Sequence, residues 1–198
     1  MPPLVGGHTS RLARRSFLPD RPGYSASVET WDALRARRNV RAFSGRPISA
    51  DQVDQILEAG RRSPSSRNWQ PWDFVVVTGP ERLAELARVS PGARYVAGAA
   101  AVVALIAPVP DGQHARDRCQ YDLGQASMSI MVAAADLEIG SGHAGVSDQA
   151  LARKLLGFPE DRFCAYLIAL GYPADRPLTP IMRPDRHSFE DIVHREHW

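Results

Sequence analysis

Three short runs of consecutive apolar residues constrain the fold of this chain more than any other feature of its sequence. They are Asp73–Thr78 (D-F-V-V-V-T), Ala100–Ala107 (A-A-V-V-A-L-I-A) and Phe163–Leu170 (F-C-A-Y-L-I-A-L), and glycine or proline follows each of them. Apolar runs of this length, bounded by turn residues, are typical of buried strands. The sequence therefore predicts a sheet in the interior of the fold.

Amphipathic stretches before, between and after these runs predict helices. Ser49 and Gln52 have the spacing of a capping box. The longest stretch, Ala115–Leu137, has apolar residues around much of its circumference, which predicts a central and largely buried helix. Because helices and strands do not alternate strictly, we expect an α+β sandwich and not a Rossmann sheet. The other predicted helices are Val28–Arg38, the helix after Ser49, Glu81–Val89, Ser147–Leu156 with Ser147 as its cap and Gly157 as its stop, and Ser188–His194.

Length and composition indicate one domain without a role in nucleic-acid binding or in a membrane. With 198 residues, 44% of them hydrophobic, the chain can bury its own core, but a second full domain would be cramped. The net charge is only +2, and no stretch resembles a DNA-reading helix. No run of about 18 apolar residues predicts a membrane span. Cys119 and Cys164 share no motif, which favours a reducing compartment.

Residues 1–27 are interpreted as an arm that is flexible or draped over a partner, ahead of a domain that spans residues 28–198. Ala13–Leu18 (A-R-R-S-F-L) resembles a twin-arginine export signal. Such a signal needs an apolar stretch after its arginines, whereas Pro19–Gly23 is polar and turn-forming. We therefore expect a cytoplasmic protein.

The string G-S-G-H-A-G at Gly140–Gly145 matches the glycine spacing of a dinucleotide-binding turn. Such a turn needs a strand before the first glycine and a helix that opens at the last one, where the pyrophosphate binds. Here Gly140 follows the long predicted helix, and the next predicted helix begins only at Ser147. This context argues against a dinucleotide turn. A helix-terminating loop, whose glycines would supply positive φ angles, remains open, and a third interpretation depends on two other motifs.

Two polar motifs flank the predicted helix that begins after Ser49. Residues 37–41 (R-R-N-V-R) form either a solvated helix end or a site for a phosphomonoester, which arginine binds through bidentate, charge-assisted contacts. Residues 64–72 (P-S-S-R-N-W-Q-P-W) precede a buried strand and combine neutral donors and acceptors with two tryptophans. This loop suits a polar heterocycle, or it simply packs its tryptophans.

Together these motifs resemble the FMN-dependent nitroreductase family. The strings R-R-N-V-R-A-F at 37–43 and P-S-S-R-N-W-Q-P-W at 64–72 carry the resemblance, which covers residues 29–198. Later segments agree in order and spacing: Asp122–Ala126, Gly140–Gly145, A-L-G-Y-P at 169–173 and the closing R-H-S-F-E-D-I-V-H-R-E-H-W.

The resemblance implies a nitroreductase-like α/β sandwich with a central, mostly antiparallel sheet flanked by helices. It also implies an intertwined homodimer with FMN at the interface. The FMN phosphate and nearby ribityl oxygens would be held by Arg37, Arg38, Asn39 and Arg41, with further charge from Arg186 and Arg183. The flavin would be reached from the partner subunit by Pro64, Ser65, Ser66 and Asn68, with Gln70 in support. Backbone N–H groups around Ala144 and Gly145 would face the reactive flavin nitrogen, and the glycines would let the main chain approach the flavin edge.

The same resemblance implies that FMN takes a hydride from NADPH or NADH and reduces an electron-poor acceptor, such as a nitroaromatic or a quinone, with ping-pong kinetics. His143 would line the substrate side, or else face solvent. The alternatives are a dehalogenase or a flavin-fragmenting enzyme on the same fold, a deazaflavin as electron donor, and a flavin-binding store or sensor. No metal is expected, because His194 and His197 have no third ligand.

Overall fold

The four strands of the computed structural model, which describes residues 30–198, form one antiparallel sheet in the order β1-β2-β4-β3. They are β1 Asp73–Val77, β2 Ala101–Pro108, β3 Gly140–Gly145 and β4 Arg162–Gly171. Strands β1, β2 and β4 confirm the three predicted apolar runs, and the antiparallel pairing confirms the expected sheet. The predicted arm at residues 1–27 and the predicted helix start at Val28 lie outside the described residues.

Helices flank this sheet. The capping box of the second helix is confirmed, because the Ser49 hydroxyl accepts a hydrogen bond from the Gln52 N–H, and Gln52 Oε1 accepts one from the Ser49 N–H. The described helices are α1 Thr30–Ala36, α2 Ala50–Arg61, α3 Pro80–Leu86, α4 Gly112–Asp136, α5 Gln149–Leu156 and α6 Phe189–Ile192, with 3₁₀ turns at Ser66–Asn68 and Pro91–Gly98. None of these helices is long and apolar enough to cross a membrane.

The ends of α5 confirm one prediction and correct another. Gly157 ends the helix with a left-handed φ of 75°, as predicted. Ser147 is not the cap: the carboxylate of Asp148 accepts from the Leu151 N–H, while the Ser147 hydroxyl donates to the Val89 carbonyl. Both residue types cap helices well, and the tertiary contact of Ser147 leaves the role to its neighbour.

The sheet is covered on both faces, which confirms the α+β sandwich. β2 is buried along nearly its whole length because its alternate side chains face two separate cores. Val102 and Ile106 pack on the side of α3, α5 and the 3₁₀ turn at 91–98. Val103 and Leu105 pack on the side of α2 and α4. This burial on both faces explains why the strand reads as a continuous apolar run.

β3 is the strand that the sequence analysis did not predict. Gly140–Gly145 pairs with β4 over its full length and forms an edge of the sheet. The string is therefore not a dinucleotide turn, in agreement with the sequence analysis, and the alternative of a helix-terminating loop is wrong, since none of the glycines in this string has a positive φ. Strand pairing uses main-chain groups alone, so a string without apolar alternation can still form a strand beside a well-specified neighbour.

The glycines at this edge allow a close approach of residues that follow α1. A Cβ on Gly142 would lie 2.4 Å from the Val40 carbonyl oxygen, and one on Gly140 would lie 2.6 Å from Val40 Cγ2. A Cβ on Gly171 of β4 would lie 2.6 Å from Cδ1 of Phe43. Real Cβ atoms do not approach other atoms this closely, so these positions require glycine unless the neighbouring atoms move.

Hydrogen bonds extend the sheet through these residues. The Val40 N–H donates to the Ser141 carbonyl at 2.8 Å, and the Ser44 N–H donates to the Tyr172 carbonyl at 2.9 Å. Residues 39–44 therefore run along the edge of the sheet and hold the arginines of the first motif beside β3.

Replacement of Gly142 by alanine is expected to lower the free energy of unfolding by about 1–3 kcal/mol, because the new methyl group would overlap the Val40 carbonyl. Gly145→Ala is the matched control on the same strand, since a Cβ there meets nothing within 4 Å. The control should stay within about 0.5 kcal/mol of the original chain. Denaturant titration measures both values, and equal stability of the two variants would contradict the packing argument.

Candidate functional site

The arginine segment, residues 37–41, contains two cations without a described counter-ion. Arg37 is half-buried, its Nε atom is shielded from solvent without a hydrogen-bond partner, and it makes no ion pair with a described residue. Arg41 is exposed and lies over the ring of Tyr95, 5.7 Å from its centroid, also without a described ion pair. Asn39 is exposed between them. This arrangement leaves positive charge available to an anionic ligand.

Arg38 differs from its neighbours. Its Nη2 atom donates to Asp175 Oδ1 at 2.7 Å and to the Arg176 carbonyl at 2.8 Å. The hydrogen bond from Arg38 lowers the pKa of Asp175 to about 2, so this carboxylate is ionised at neutral pH. A carboxylate of the same chain thus balances the charge of Arg38.

The C-terminal segment, residues 172–187, runs antiparallel beside the chain that contains the arginine segment. The Ala174 N–H donates to the Ala42 carbonyl, and the Ile181 N–H donates to the Arg35 carbonyl, both at 3.0 Å. These bonds hold the C-terminal segment against the end of α1 and the edge of the sheet.

Arg183 and Arg186 lie on this C-terminal segment, as the sequence places them. Both are exposed, and Arg186 Nη1 donates to the Asp185 carbonyl at 2.5 Å. Within the part of the chain that the structure describes, no hydrogen bond or ion pair joins either of them to Arg37 or Arg41. The structure brings their segment to the arginine segment without fixing their side chains there.

The tryptophan loop, Pro64–Trp72, has a strained main chain. Arg67, Asn68 and Gln70 have φ angles of 53°, 57° and 52°, in the left-handed region that residues with a side chain rarely adopt. The Ser65 hydroxyl accepts from the Gln70 N–H at 2.8 Å, and the Gln70 side chain donates to Asn68 Oδ1 at 3.0 Å. Strain of about 1–3 kcal/mol per residue persists only where surrounding contacts enforce it, and it is typical of functional sites.

Asp122 of α4 enforces the conformation of this loop, and the sequence analysis gave it no role. The residue is fully buried. Its two oxygens accept from the Ser66 N–H at 3.0 and 3.1 Å, Oδ1 also accepts from the Ser66 hydroxyl at 3.1 Å, and Gln125 Nε2 donates to it at 3.4 Å. The sequence does contain a signal for this role, namely an aspartate within a helix that is predicted to be buried. A buried carboxylate needs hydrogen-bond donors around it.

The last residues of β3 direct main-chain groups to the outer edge of the sheet. Because the Ser141 carbonyl accepts from Val40, its main-chain groups point to this outer edge, and alternate residues of a strand share this direction. The main-chain groups of His143 and Gly145 therefore point to the outer edge, whereas those of Ala144 point to β4. Of the two residues predicted to face a flavin, Gly145 is the exposed one, and Ala144 lies in the core.

His143 belongs to a row of polar side chains that leads from β3 to α4. Its ring lies 4.5 Å from that of Tyr166, measured between centroids. Burial lowers the pKa of His143, so the imidazole is neutral at pH 7. Burial also raises the pKa of Tyr166, whose hydroxyl donates to Gln120 Oε1. The row ends at Gln120 on α4, two residues before Asp122.

An open apolar groove of about 960 Å³ lies between α1, α2 and α4. Pro64 of the tryptophan loop and Tyr121 and Met128 of α4 belong to its lining. Tyr121 is 69% exposed, and Trp31 of α1 is 66% exposed. The prediction that α4 is largely buried therefore holds for its sheet-facing side only, since the opposite side presents apolar side chains at the surface of this chain.

The two polar motifs are held by different elements of the chain. The arginine segment borders the outer edge of β3, whereas the tryptophan loop is attached to α4. In the described part of the chain, no hydrogen bond or ion pair joins them. Among the same residues, no group of three or more His, Cys, Asp or Glu side chains has the arrangement of a metal site.

Comparison with known proteins points to one family. The model of the Nitroreductase family matches residues 34–116. A protein of Archaeoglobus fulgidus with the provisional name NADH dehydrogenase/NAD(P)H nitroreductase is 32% identical over 169 residues, which are 83% of this chain and 96% of that protein.

Two solved structures confirm the fold. An FMN-dependent nitroreductase from Clostridium difficile has a TM-score of 0.73 at 22% identity, over 84% of this chain and 98% of its own. The NADPH:FMN oxidoreductase from Vibrio harveyi, solved with NAD⁺, has a TM-score of 0.73 at 25% identity, over 84% of this chain and 76% of its own.

Replacement of Asp122 by alanine is expected to lower the free energy of unfolding by about 1–3 kcal/mol, because the Ser66 N–H would lose its buried acceptor. The amide proton of Ser66 should then exchange faster with solvent. Asp117→Ala is the control, since Asp117 is exposed on the same helix and should change stability by less than about 0.5 kcal/mol. Unchanged exchange at Ser66 in Asp122→Ala would show that Asp122 does not hold the loop.

Proposed function

Because this chain belongs to the nitroreductase family, we propose that it is an FMN-dependent oxidoreductase that transfers electrons from NADPH or NADH to a small electron-poor acceptor, such as a nitroaromatic or a quinone. The relatives whose names mention NAD(P)H and FMN support this proposal. The observation that carries it is Arg37, a half-buried cation with a shielded Nε and no described counter-ion, beside the outer edge of β3. The phosphate of FMN would complete this arrangement.

Arg37 and Arg41 would bind that phosphate, with Asn39 between them near the ribityl oxygens. Guanidinium groups bind phosphate through two parallel hydrogen bonds, and these contacts strengthen when the cation is partly shielded from water. Arg183 and Arg186 would add charge from the C-terminal segment. Arginine supplies all of these cations, which favours directed contacts over the point charge of a lysine.

We further propose a homodimer in which the tryptophan loop of one chain completes the FMN site of the other. In the described part of its own chain, the loop makes no hydrogen bond or ion pair to the arginine segment, and its Pro64 borders the apolar groove of α1, α2 and α4. A second copy on this groove would cover Tyr121 and Met128, which line it and are exposed in the single chain. Pro64, Ser65, Ser66, Asn68 and Gln70 would then meet the flavin across the interface.

When bound, FMN supplies the hydride chemistry. The chain supplies the surroundings: Gly145 presents its N–H at the open edge of β3, and the neutral rings of His143 and Tyr166 lie next to it. Asp122 holds the tryptophan loop in its strained form through hydrogen bonds within the chain, which would lower the ordering cost of binding. The cytoplasmic location stays a prediction.

Anaerobic addition of NADPH or NADH to the protein loaded with FMN tests the proposal. We expect the visible flavin absorption bands to bleach and to return when a quinone or nitroaromatic is added. A protein that takes up no FMN would contradict the proposal. Flavin bands that neither nicotinamide bleaches would favour a deazaflavin donor or a flavin store instead.

Steady-state kinetics test the order of the reaction. Donor and acceptor should give parallel double-reciprocal lines, because both would use the same site in turn. Intersecting lines would contradict a ping-pong mechanism. Analysis of the products separates acceptor reduction from dehalogenation and from fragmentation of the flavin.

Replacement of His143 by alanine is expected to slow reduction of the acceptor while leaving flavin reduction by the nicotinamide unchanged, because the ring would line the substrate side. Since the imidazole is already neutral at pH 7, the rate should not vary with its titration between pH 7 and 8. Stopped-flow absorbance measures the two half-reactions separately. His114→Ala, an exposed histidine on α4, is the control. Unchanged acceptor reduction in His143→Ala would place His143 outside the substrate site.

A further inference from the structure

Arg38 and its partner Asp175 form a contact whose purpose the proposed function does not explain. Within the arginine segment, Arg38 is the residue whose side chain forms an ion pair and hydrogen bonds with other described residues. Its side chain is only 15% exposed, and one of its terminal nitrogens contacts both the Asp175 carboxylate and the Arg176 carbonyl. A phosphate that recruited Arg38 would have to share its guanidinium with this ionised carboxylate, whose negative charge would repel it.

The contact lies in the middle of a longer attachment. On one side, the Ala174 N–H donates to the Ala42 carbonyl at 3.0 Å, and Phe43 pairs with Pro173. The main chain beyond Asp175 leaves this ladder, so Arg38 continues the attachment with its side chain.

On the other side, the attachment ends at α1. The Ile181 N–H donates to the Arg35 carbonyl at 3.0 Å, and the Arg35 guanidinium donates to Met182 Sδ at 3.0 Å. Within the described residues, Arg38 makes the only side-chain hydrogen bonds from the arginine segment to the part of the C-terminal segment between Ala174 and Ile181. The residues that follow Met182 carry Arg183 and Arg186.

We propose that Arg38 is a positioning residue that does not itself contact the phosphate. Its ion pair with Asp175 fastens the C-terminal segment beside the arginine segment. This attachment makes Arg183 and Arg186 available to the phosphate. This inference rests on the proposed FMN site. It assigns Arg38 a role different from the phosphate contact that the family resemblance implies.

The two roles predict opposite effects for removal of Asp175. If Arg38 contacts phosphate, loss of Asp175 frees its charge and strengthens FMN binding. If Arg38 fastens the segment, loss of Asp175 releases the segment and weakens FMN binding as much as loss of Arg38 does. Riboflavin, which lacks the phosphate, should lose little affinity in either variant.

The experiment measures the dissociation constants of FMN and riboflavin, by flavin fluorescence, for Arg38→Ala, Asp175→Ala and the double variant. We expect each single variant to weaken FMN binding about tenfold, equivalent to about 1.4 kcal/mol, and the double variant to be no weaker than either, since both act on one contact. Arg62→Ala and Glu58→Ala make the same charge changes at an exposed pair on and just after α2 and should leave both constants unchanged.

A second measurement does not depend on FMN. The Ala174 and Ile181 amides, which donate to Ala42 and Arg35, should exchange faster with solvent in Arg38→Ala and in Asp175→Ala than in the original chain without ligand. Unchanged exchange in both variants overturns the inference.

The binding results separate the two proposals. Stronger FMN binding by Asp175→Ala, or unchanged FMN binding by both single variants, overturns the role of Arg38 and leaves the FMN site intact. An original chain that binds no FMN overturns the proposed function, and the amide exchange then decides the fastening of the segment by itself.

Discussion

The close contact between Val40 and the glycines of β3 is the constraint on which the rest of the site depends. Gly142 leaves room for the Val40 carbonyl, and Gly140 leaves room for the Val40 side chain. The main chain at this point can therefore add to the edge of the sheet through the hydrogen bond to Ser141. Because Arg37 and Arg41 lie within three residues of Val40, this contact fixes where both cations leave the main chain. Glycine acts here through absent side-chain volume and not through a positive φ.

Helix α4 has a comparable role on the other side of the molecule. Its inward side packs on the sheet, Asp122 holds Ser66 of the tryptophan loop, and its outward side presents Tyr121 to the apolar groove. Left-handed residues cost free energy that only a firm attachment can offset. A buried carboxylate that accepts several hydrogen bonds provides this attachment, because leaving the carboxylate or the Ser66 N–H unpaired would cost more. The loop is thus ordered by the fold of its own chain, even if a partner chain uses it.

A structural feature can be predicted from the sequence where burial produces a local apolar pattern. It cannot be predicted in this way where it depends on an interaction partner that is distant in the sequence. β2 was predicted because burial on both faces leaves a continuous apolar run. β3 was missed because its pairing depends on the neighbouring β4 and its glycines carry no apolar pattern. The motifs at 37–41 and 64–72 were found from local composition. Asp122 and the pairing of Arg38 were not, since Ser66 lies 56 residues from Asp122, and Asp175 lies 137 residues from Arg38.

The arginines of the segment 37–41 differ in whether they form an ion pair, and this difference assigns them different roles. A guanidinium that already holds a carboxylate has committed part of its donors and contributes little net charge to a ligand, whereas one without a counter-ion offers all of its donors and its full charge. Arg38 is of the first kind, and Arg37 and Arg41 are of the second. Neighbouring residues of the same type can thus serve structure and binding separately, because the fold gives each of them different partners. The sequence alone does not distinguish the arginines at positions 35, 37, 38 and 41. Only their partners in the folded structure show which of them are available to a ligand.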